Sequence, residues 1–495
     1  MKLLIIGLDA AVPDLVFEQW RDRLPNLNNL IQSGCYGNLT SCIPAITMPA
    51  WTCMMSGRDP GELGIYGFRN RVDRSYTKMA IANSDKIKVP RLWNLLGDAG
   101  WQVAVLGVPG TFPPQIVNGA LVSCFLTPGF TSDFTYPLGL KAQIAALQTQ
   151  SSNDLNFNSL NISPADRIDT STITPDQDQA TAIENNYLFD VPNFRANDKN
   201  RILRDIYRLG NQTFNLATYL KQNQQPDLMM LVDMGIDRIQ HAFWKYMDPR
   251  HPLHEPDSTF ADAIVNYYAH VDRQIGNLLA QCEPDTAVLV VSDHGAQPLM
   301  GGFALNQWLH QEGYLVFKNA VTKPTSLDRV AVDWAKTKAW GAGGYYGRVF
   351  MNVQGREPQG VIPLAEYQQE RQKLAQKLAA IKDPQGNLLG VTAHLPQQLY
   401  KRVRGIAPDL IVYFQDLAWR SLGTVGVDSL YALENDTGPD DANHAQDGIM
   451  IFYDPTRPMG GKRLEGMEIY DVLPTLLSRY GIPMPTGLRG KVWDW

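Results

Sequence analysis

The sequence predicts an α/β fold in which a mostly parallel central sheet has helices on both faces and carries inserted cap regions. Three observations support this prediction. Short, continuously apolar runs recur along the 495 residues, as is typical of strands buried on both faces. Segments with helical periodicity lie between these runs, and two irregular stretches interrupt the alternation. Alternating strands and helices are the pattern of a parallel sheet covered on both sides.

The predicted strands end in polar residues or glycine. "KLLIIGL" near the N-terminus stops at Asp9, and its shortness favours a strand over a helix. Four further runs are interpreted in the same way: "WQVAVLGVPG" (101–110), "PDLMMLVDMG" (226–235), "TAVLVVSDHG" (286–295) and "PDLIVYF" (408–414).

Two segments have a clear helical pattern. The first is "FADAIVNYYAHVDRQIGNLLAQC" (260–282), and the second is "EIYDVLPTLLSRYGIP" (468–483), which stops at Gly481 and Pro483. In the first segment one helix face is apolar, and it consists of Ile264, Tyr267, Val271, Ile275 and Leu278.

The irregular stretches predict insertions into the core. Residues 127–200 are rich in Asn, Ser, Thr, Asp and Gln and have weak periodicity, and residues 340–405 contain a charged helix near 364–381. We therefore predict core segments at 1–126, 201–339 and 406–495, an inserted cap at 127–200, and a second insertion at 340–405.

Composition excludes several classes of protein. Hydrophobic residues make up 44% and charged residues 19%, which is typical of an ordered globular protein. The net charge of -6 and the lack of a basic run argue against a nucleic acid polymer as partner. No apolar run approaches the roughly 20 residues that span a bilayer, so membrane insertion is not expected. Five cysteines without CxxC spacing suggest free thiols and a cytoplasmic location. The sequence has no heptad pattern, and it does not predict the oligomeric state.

Candidate metal ligands lie where the apolar runs stop. Ligands of open α/β sheets collect beyond the carboxyl ends of the strands. Asp9 follows the first run, and Asp237 and His241 follow the run at 226–235 with a spacing that places both on one face of a helical turn. Such a pair could share a metal ion, although the same spacing often forms a solvated surface pair.

Asp293 and His294 follow "AVLVV" (287–291), and His444 lies in the polar segment "DANHAQDGIMIF". The alternative for "SDHG" is a helix N-cap aspartate beside a buried, hydrogen-bonded histidine. The whole set favours metal binding, because six Asp and His ligands without cysteine suit two hard or borderline divalent ions, such as Zn²⁺ or Mn²⁺.

Thr47 is a candidate nucleophile. It lies between two prolines in "IPAITMPAWTCMMSG" (43–57), at an apparent strand-to-helix turn. A metal ion can activate a threonine hydroxyl, and a helix N-terminus favours an incoming anion. The structural alternative is an ordinary N-cap at Thr47 with Pro49 in the first turn. We expect nearby Trp51 to be a core residue.

Five motifs in order resemble the alkaline phosphatase superfamily, and in particular its type I phosphodiesterase and nucleotide pyrophosphatase branch. They are "GLDA", "PAITMPAWTCMMSGRDPGELGI", "DRIQHAFW", "VSDHG" and "NHAQDGI". The segments "NQWLHQEGYL", "GREPQG" and "APDLIV" resemble a group of predicted phosphohydrolases or phosphomutases within that superfamily. The resemblance covers residues 1–125, 226–315 and 400–495, and it implies an alkaline-phosphatase-like fold.

The resemblance also implies residue roles. One metal would be bound by Asp237, His241 and His444, the other would be bound by Asp9, Asp293 and His294, and Thr47 would be phosphorylated between them. The ions of the family are usually zinc and sometimes manganese. In the implied reaction, Thr47 attacks phosphorus in line, and water then cleaves the phosphothreonine.

The chain departs from the nucleotide pyrophosphatase pattern near its nucleophile. "HGI" is replaced by Leu63-Gly64-Ile65, and Phe68 aligns with an asparagine that binds a phosphate oxygen, while Asn70 follows two residues later. Asp233 competes with Asp237 as a ligand because it ends its strand more directly.

The sequence therefore predicts a two-metal phosphoric ester hydrolase, and specifically a phosphodiesterase that acts on a small-molecule phosphate ester. Two alternatives remain: a metal-dependent phosphomutase or phosphomonoesterase of the same superfamily, and a non-catalytic metal-stabilised binding protein. The metal-dependent phosphoglycerate mutases usually use serine, so Thr47 argues mildly against a mutase.

Overall fold

The computed structural model describes residues 2–151 and 187–493, and a ten-stranded sheet forms its centre. Five neighbouring strands in the middle of this sheet are parallel, which confirms the predicted α/β class. Part of the predicted cap, residues 152–186, lies outside the described residues. The strands follow one another across the sheet as Lys462–Arg463, Cys35–Thr40, Asp447–Tyr453, Ala287–Val291, Leu3–Leu8, Leu228–Asp233, Val103–Leu106, Gly119–Val122 and Thr135–Tyr136, and Met467–Glu468 pairs with Cys35–Thr40.

The register of the central strands brings their polar ends together. Leu8 pairs with Asp233 on one side, and Gly7 pairs with Val291 on the other. The residues that follow these three strands therefore start from the same edge of the sheet. Because the strands are fully buried, they require apolar side chains on both faces, as the sequence pattern predicts.

Helices pack on both faces of the sheet. The helix at Ala263–Leu279 confirms the clearest helical prediction, because all five residues of its predicted apolar face are buried. Among the described residues, the α-helices span Pro25–Ser33, Thr47–Ser56, Pro60–Leu63, Leu92–Asp98, Leu140–Ser151, Lys199–Gln224, Gly235–Met247, Ala263–Leu279, Leu305–Gln311, Tyr367–Ala379, Pro396–Leu399 and Val472–Arg479.

A second sheet of seven strands has its own hydrophobic core, which includes Trp340 and Phe350. The run "PDLIVYF" forms a strand of this sheet, antiparallel to its neighbours, and does not join the parallel sheet. An apolar run looks the same in either environment, so the sequence does not distinguish them. The strands are Gly301–Ala304, Ala339–Ala342, Gly347–Met351, Val391–His394, Leu410–Phe414, Trp419–Leu422 and Tyr431–Ala432. The predicted domain boundaries stay a prediction.

The described residues also form three two-stranded sheets, and one of these sheets positions a candidate ligand. Gly295–Pro298 pairs antiparallel with Ala442–Ala445, so that Ala296 lies opposite His444. The others pair Arg69–Arg71 with Met79–Ile81 and Thr325–Ser326 with Thr424–Val425. Within the described residues, no helix combines the length and the apolar character that a bilayer span needs.

Candidate metal centre

The first group of candidate ligands is Asp237, His241 and His444, which we call the helix triad. Asp237 and His241 lie one turn apart on the helix Gly235–Met247, and the distance from His241 Nε2 to Asp237 Oδ1 is 3.3 Å. His444 comes from the strand Ala442–Ala445, and its Nε2 lies 3.9 Å from the same carboxylate oxygen. All three side chains are buried.

The second group is Asp9, Asp293 and His294, which we call the strand-end triad. His294 Nε2 lies 3.2 Å from Asp293 Oδ2 and 3.9 Å from Asp9 Oδ1. The two triads adjoin, because the rings of His294 and His444 stack with a centroid distance of 3.9 Å. The structure thus brings all six predicted residues together, in two groups of three whose ligand atoms lie within 4.8 Å of one another.

These residues fit a pair of divalent cations. Each aspartate has one buried oxygen without a hydrogen-bond partner, namely Asp9 Oδ1, Asp237 Oδ1 and Asp293 Oδ2. An unpartnered buried carboxylate oxygen is costly, and a coordinated cation offsets that cost. Oxygen and nitrogen donors without sulfur suit hard or borderline divalent ions. The two buried triads are therefore consistent with a binuclear metal site.

The protonation states of the strand-end triad also depend on its burial. Burial raises the pKa of Asp9 well above its usual range, and the nearby carboxylate of Asp237 adds to this effect. Burial likewise raises the pKa of Asp293, and the charge of Asp9 raises it further. The pKa of His294 falls to about 4 because the ring is buried. A neutral imidazole is the form that binds a metal ion.

Each histidine is oriented through its Nδ1 atom. His294 Nδ1 lies 3.0 Å from the carbonyl oxygen of Gly295, and His444 Nδ1 lies 2.9 Å from that of Ala45. A carbonyl oxygen can only accept, so these contacts assign the proton to Nδ1. Nε2 then keeps its lone pair and can bind a metal ion. The backbone thus fixes the tautomer of two rings.

His241 is oriented by a carboxylate that the sequence analysis missed. His241 Nδ1 lies 2.6 Å from Asp440 Oδ1, and the other oxygen of Asp440 accepts hydrogen bonds from Arg195 Nε at 2.7 Å and Arg420 Nη1 at 2.8 Å. Burial alone would raise the pKa of Asp440, but His241, Arg195 and Arg420 lower it. The only sequence signal was a carboxylate four residues before His444, in "PDDANH".

Arg238 neutralises the carboxylate beside it. Its guanidinium donates to Asp237 Oδ2 and forms two hydrogen bonds to Asp190, at 2.6 and 2.8 Å. Burial opposes ionisation of Asp237, yet His241 and Arg238 hold its pKa well below the usual value. The helix triad therefore has a charged network behind it.

Thr47 begins the helix that faces the strand-end triad. Its Oγ1 lies 3.4 Å from His294 Nε2, and the residue is only 3% exposed. The N-cap residue is Ile46, which corrects the alternative interpretation of Thr47 as an N-cap. The helix ends at Ser56 and is followed by Gly57, whose φ of 63° lies in the left-handed region that glycine adopts readily.

Trp51 lies on the same helix and is fully buried, as expected of a core residue. It also donates a hydrogen bond from Nε1 to Asp9 Oδ2 at 2.7 Å, which the sequence analysis did not predict. Gly7 makes room for this ring, because a Cβ atom there would lie 2.5 Å from the nearest atom of Trp51. The hydrogen bond engages Oδ2 of Asp9 and leaves Oδ1 on the side of His294, another member of the same triad.

Three further residues do not have the alternative roles that were considered from the sequence. Asp233 accepts hydrogen bonds from Tyr267 OH and Ile236 N, both at 3.1 Å, and is not part of either triad. Asp293 lies between two strands and caps no helix. Asn70 accepts from Tyr66 N at 2.8 Å and donates to Gly67 O at 2.9 Å, so its amide is engaged in a local turn.

The sequence matches one family of known proteins over most of its length. The sequence model of the type I phosphodiesterase / nucleotide pyrophosphatase family matches residues 3–440. Comparison with curated proteins gives no significant match.

Solved structures share the fold. Human ectonucleotide pyrophosphatase / phosphodiesterase 5 is 12% identical with a TM-score of 0.53, over 98% of this chain and 96% of that one. The murine protein, as an inactive threonine-to-alanine variant in complex with AMP, has a TM-score of 0.52 at 12% identity, again over 98% of this chain and 96% of that one. Phosphonoacetate hydrolase from Sinorhizobium meliloti 1021, in complex with phosphonoformate, has a TM-score of 0.55 at 14% identity, over 96% and 94% of the two chains.

Proposed function

Because the chain belongs to the type I phosphodiesterase / nucleotide pyrophosphatase family, we propose that it is a two-metal phosphodiesterase that acts through a phosphothreonine intermediate. One observation carries this proposal. The hydroxyl of Thr47 lies 3.4 Å from His294, at the place where two buried Asp/His triads adjoin. A positioned hydroxyl between two cation sites is the arrangement that phosphoryl transfer through a covalent intermediate requires.

The six residues of the triads would hold the ions. Asp237, His241 and His444 form one site, and Asp9, Asp293 and His294 form the other. Bound Zn²⁺ or Mn²⁺ would stabilise negative charge on the phosphoryl oxygens and make a hydroxyl more acidic.

Thr47 would perform the covalent step. Its Oγ1 would form a bond to phosphorus while the bond between phosphorus and the leaving oxygen breaks. The hydroxyl proton would pass to solvent, and the leaving oxygen would take up a proton from solvent to become the alcohol. The alcohol departs, and a water molecule then hydrolyses the phosphothreonine to regenerate the hydroxyl. Thr47 opens the helix Thr47–Ser56, whose first turn has backbone N–H groups without intrahelical acceptors, and this environment favours the phosphate charge.

The charges beside the site favour a diester over a monoester. A diester carries one negative charge, whereas a monoester approaches two at neutral pH. The guanidinium of Arg238 is paired with Asp190 and Asp237, and that of Arg195 is paired with Asp440. Because these cations are already neutralised, they offer little extra stabilisation to a dianion.

The test is hydrolysis of bis-(p-nitrophenyl) phosphate by protein that has been stripped with a chelator and reloaded with Zn²⁺ or Mn²⁺. Thr47→Ala should lower turnover by at least about 10³-fold, and Thr47→Ser should retain part of it because a hydroxyl remains. The matched control is Thr52→Ala, since Thr52 lies on the same helix and its hydroxyl donates to Met48 O at 2.7 Å. Full turnover in Thr47→Ala would overturn the nucleophile assignment.

A substrate panel separates the alternatives. Because the murine relative was solved with AMP and the bacterial relative with phosphonoformate, the panel should include p-nitrophenyl-AMP and phosphonoacetate beside p-nitrophenyl phosphate. We expect the diesters to be hydrolysed fastest. Interconversion of phosphoglycerates without ester hydrolysis would indicate a mutase, and bound metal without any turnover would indicate a binding protein.

A further inference from the structure

A cavity of about 360 Å³ is lined in part by the segment that leads to Thr47. Its lining includes Thr40, Ser41 and Ile43 from that segment, but neither Thr47 nor any of the six triad residues. This volume falls within the usual range of small-molecule sites. Ser41 is 5% exposed, and its Oγ has no hydrogen-bond partner among the described residues. The cavity is therefore separate from the metal centre and contains an unused polar group.

The charges around the cavity are predominantly negative. Asp416 and Glu468 line it and are both exposed at its mouth. Arg489 also lines it, but its guanidinium lies 3.3 Å from Asp59 Oδ2 and donates to Leu399 O at 2.7 Å. Burial lowers the pKa of His394, another lining residue, so its ring is neutral at pH 7. Burial lowers the pKa of Arg489, but Tyr470, Asp59 and Glu468 raise it, so Glu468 shares this guanidinium with Asp59. Asp416 adds a further carboxylate charge, so the negative charges around the cavity outnumber its one guanidinium.

The inner wall is aromatic. Tyr400, Tyr413 and Tyr470 line the cavity and are all buried. Burial raises the pKa of each phenol, so all three are neutral at pH 7. The ring of Tyr470 already contacts a cation, because Arg489 Cζ lies 4.6 Å from its centroid. A second cation would therefore contact Tyr400, Tyr413 and the carboxylate rim, where the ring quadrupole and the carboxylate charges both favour positive charge. An anionic ligand would be repelled by that rim, and a neutral ligand would gain hydrogen bonds from it but no attraction between charges.

We propose that this cavity is a second ligand site, that it binds a small organic ammonium ion, and that its occupancy modulates the metal centre. Two hydrogen bonds connect its wall to the nucleophile segment. Tyr413 OH accepts from Ala45 N at 2.8 Å, and Tyr400 OH donates to Ile43 O at 2.7 Å.

The carbonyl of Ala45 continues the connection to the metal centre, since it lies 2.9 Å from His444 Nδ1. Ala45 is also two residues before Thr47. A ligand that moves Tyr413 therefore changes the support of one candidate metal ligand and of the nucleophile. This modulation depends on the proposed hydrolase function, whereas binding to the cavity does not.

Calorimetry on the metal-loaded protein tests the binding, with tetramethylammonium chloride, glucose and sodium chloride as probes at equal ionic strength. We expect saturable binding of tetramethylammonium alone. Asp416→Asn and Glu468→Gln should each weaken it by about 3- to 5-fold, and together by about 10-fold or more. Asp257→Asn is the matched control, because Asp257 is exposed and does not line the cavity. Saturable binding of glucose, no binding of tetramethylammonium, or unchanged affinity in the double variant would overturn the proposal.

The hydrolysis of bis-(p-nitrophenyl) phosphate tests the modulation. Tetramethylammonium should change kcat by at least about 2-fold in the wild-type protein, and the double variant Asp416→Asn/Glu468→Gln should need about 10-fold more of it for the same change. Neither residue belongs to the catalytic site, so basal turnover should be retained in this variant. Unchanged kcat at saturating tetramethylammonium would overturn the modulation, even where calorimetry confirms binding. Lack of hydrolysis in every sample would overturn the proposed function and leave the calorimetric result intact.

Discussion

The two triads have similar ligands but opposite electrostatic environments. Behind the helix triad, Asp440 and Arg238 connect the ligands to a network of paired charges. Behind the strand-end triad, the contacts of the ligands are with neutral donors and acceptors, such as Trp51 Nε1 and the carbonyl of Gly295. The pKa of Asp237 is accordingly lowered, while those of Asp9 and Asp293 are raised by burial.

This difference indicates how each triad would hold an ion. The carboxylate of the helix triad is already compensated, so its geometry is organised by the protein. The carboxylates of the strand-end triad are buried near each other, and the charges of Arg238 and His241 offset this burial only in part at Asp9. The remaining charge destabilises the fold until a cation or a proton neutralises it. We therefore expect the metal-free protein to be destabilised mainly by the strand-end triad.

The largest expected effect is that of Asp293→Asn. Loss of this carboxylate should remove a ligand and lower the content of bound metal. Diesterase turnover should fall by about 10³-fold, which corresponds to a rise of about 4 kcal/mol in the activation free energy. In the metal-free protein, however, the same substitution should raise the free energy of unfolding, because it relieves repulsion with Asp9. Elemental analysis, initial rates and denaturant unfolding in chelator measure these effects. Asp285→Asn, at an exposed position, is the control.

The pH dependence of that stabilisation provides a second check. The folded-state pKa of Asp293 is raised, so the metal-free wild-type protein binds a proton that the unfolded chain releases, and this contribution to stability is lost as pH rises. The advantage of Asp293→Asn in chelator should therefore be greatest near pH 8 and shrink as pH falls toward 4. An advantage that grows on acidification would contradict the proposed repulsion.

Asp440→Asn should have the next largest effect on turnover, and its effect on the stability of the metal-free protein should be opposite to that of Asp293→Asn. Loss of the carboxylate leaves His241 without its oriented partner, so metal affinity and turnover should fall by about 10- to 100-fold. The metal-free protein should become less stable, since Arg195 and Arg420 lose their buried counter-charge. The matched control is Asp441→Asn, at the adjacent residue. If Asp440→Asn stabilises the metal-free protein, as Asp293→Asn does, the contrast between the triads is wrong.

Trp51→Phe should cause a smaller loss. The substitution keeps an aromatic ring in the core but removes the hydrogen bond to Asp9, which as a bond to a charged group contributes about 1.5 kcal/mol. Turnover should fall by up to about 10-fold, with a weaker affinity for the ion at the strand-end triad. Titration of the stripped variant with Zn²⁺ measures this affinity, and unchanged affinity would show that Trp51 acts only as a core residue.

Asn70→Ala should have the smallest effect on catalysis. Because both ends of its amide are used in a local turn, turnover of bis-(p-nitrophenyl) phosphate should change by less than about 2-fold. A large rise in KM would instead show that Asn70 binds a phosphate oxygen, as in the nucleotide pyrophosphatase pattern. The comparison with Asp293→Asn shows whether residues near the nucleophile or residues at the strand ends determine activity.

Local patterns determined the fold class, the strand ends and the six candidate ligands. Continuous apolar runs indicate strands buried on both faces, and parallel strands place the residues that follow them at one edge, so Asp9, Asp293 and His294 could be placed at that edge without coordinates. The division of the six residues into two groups of three came from the family resemblance. The helical spacing of Asp237 and His241 predicted that they lie together, and the helix at Ala263–Leu279 followed from periodicity alone.

Tertiary structure decided the contacts between residues far apart in the chain. The pairing of His241 with Asp440, the hydrogen bond from Trp51 to Asp9, and the stacking of His294 on His444 join segments that no local period relates. The strand Leu410–Phe414 belongs to the second sheet for the same reason, because strand partners are chosen by packing and register and not by the apolar run itself. Side-chain types and local spacing fix which residues can act as ligands, but their orientation and charge compensation depend on partners that only folding brings into contact.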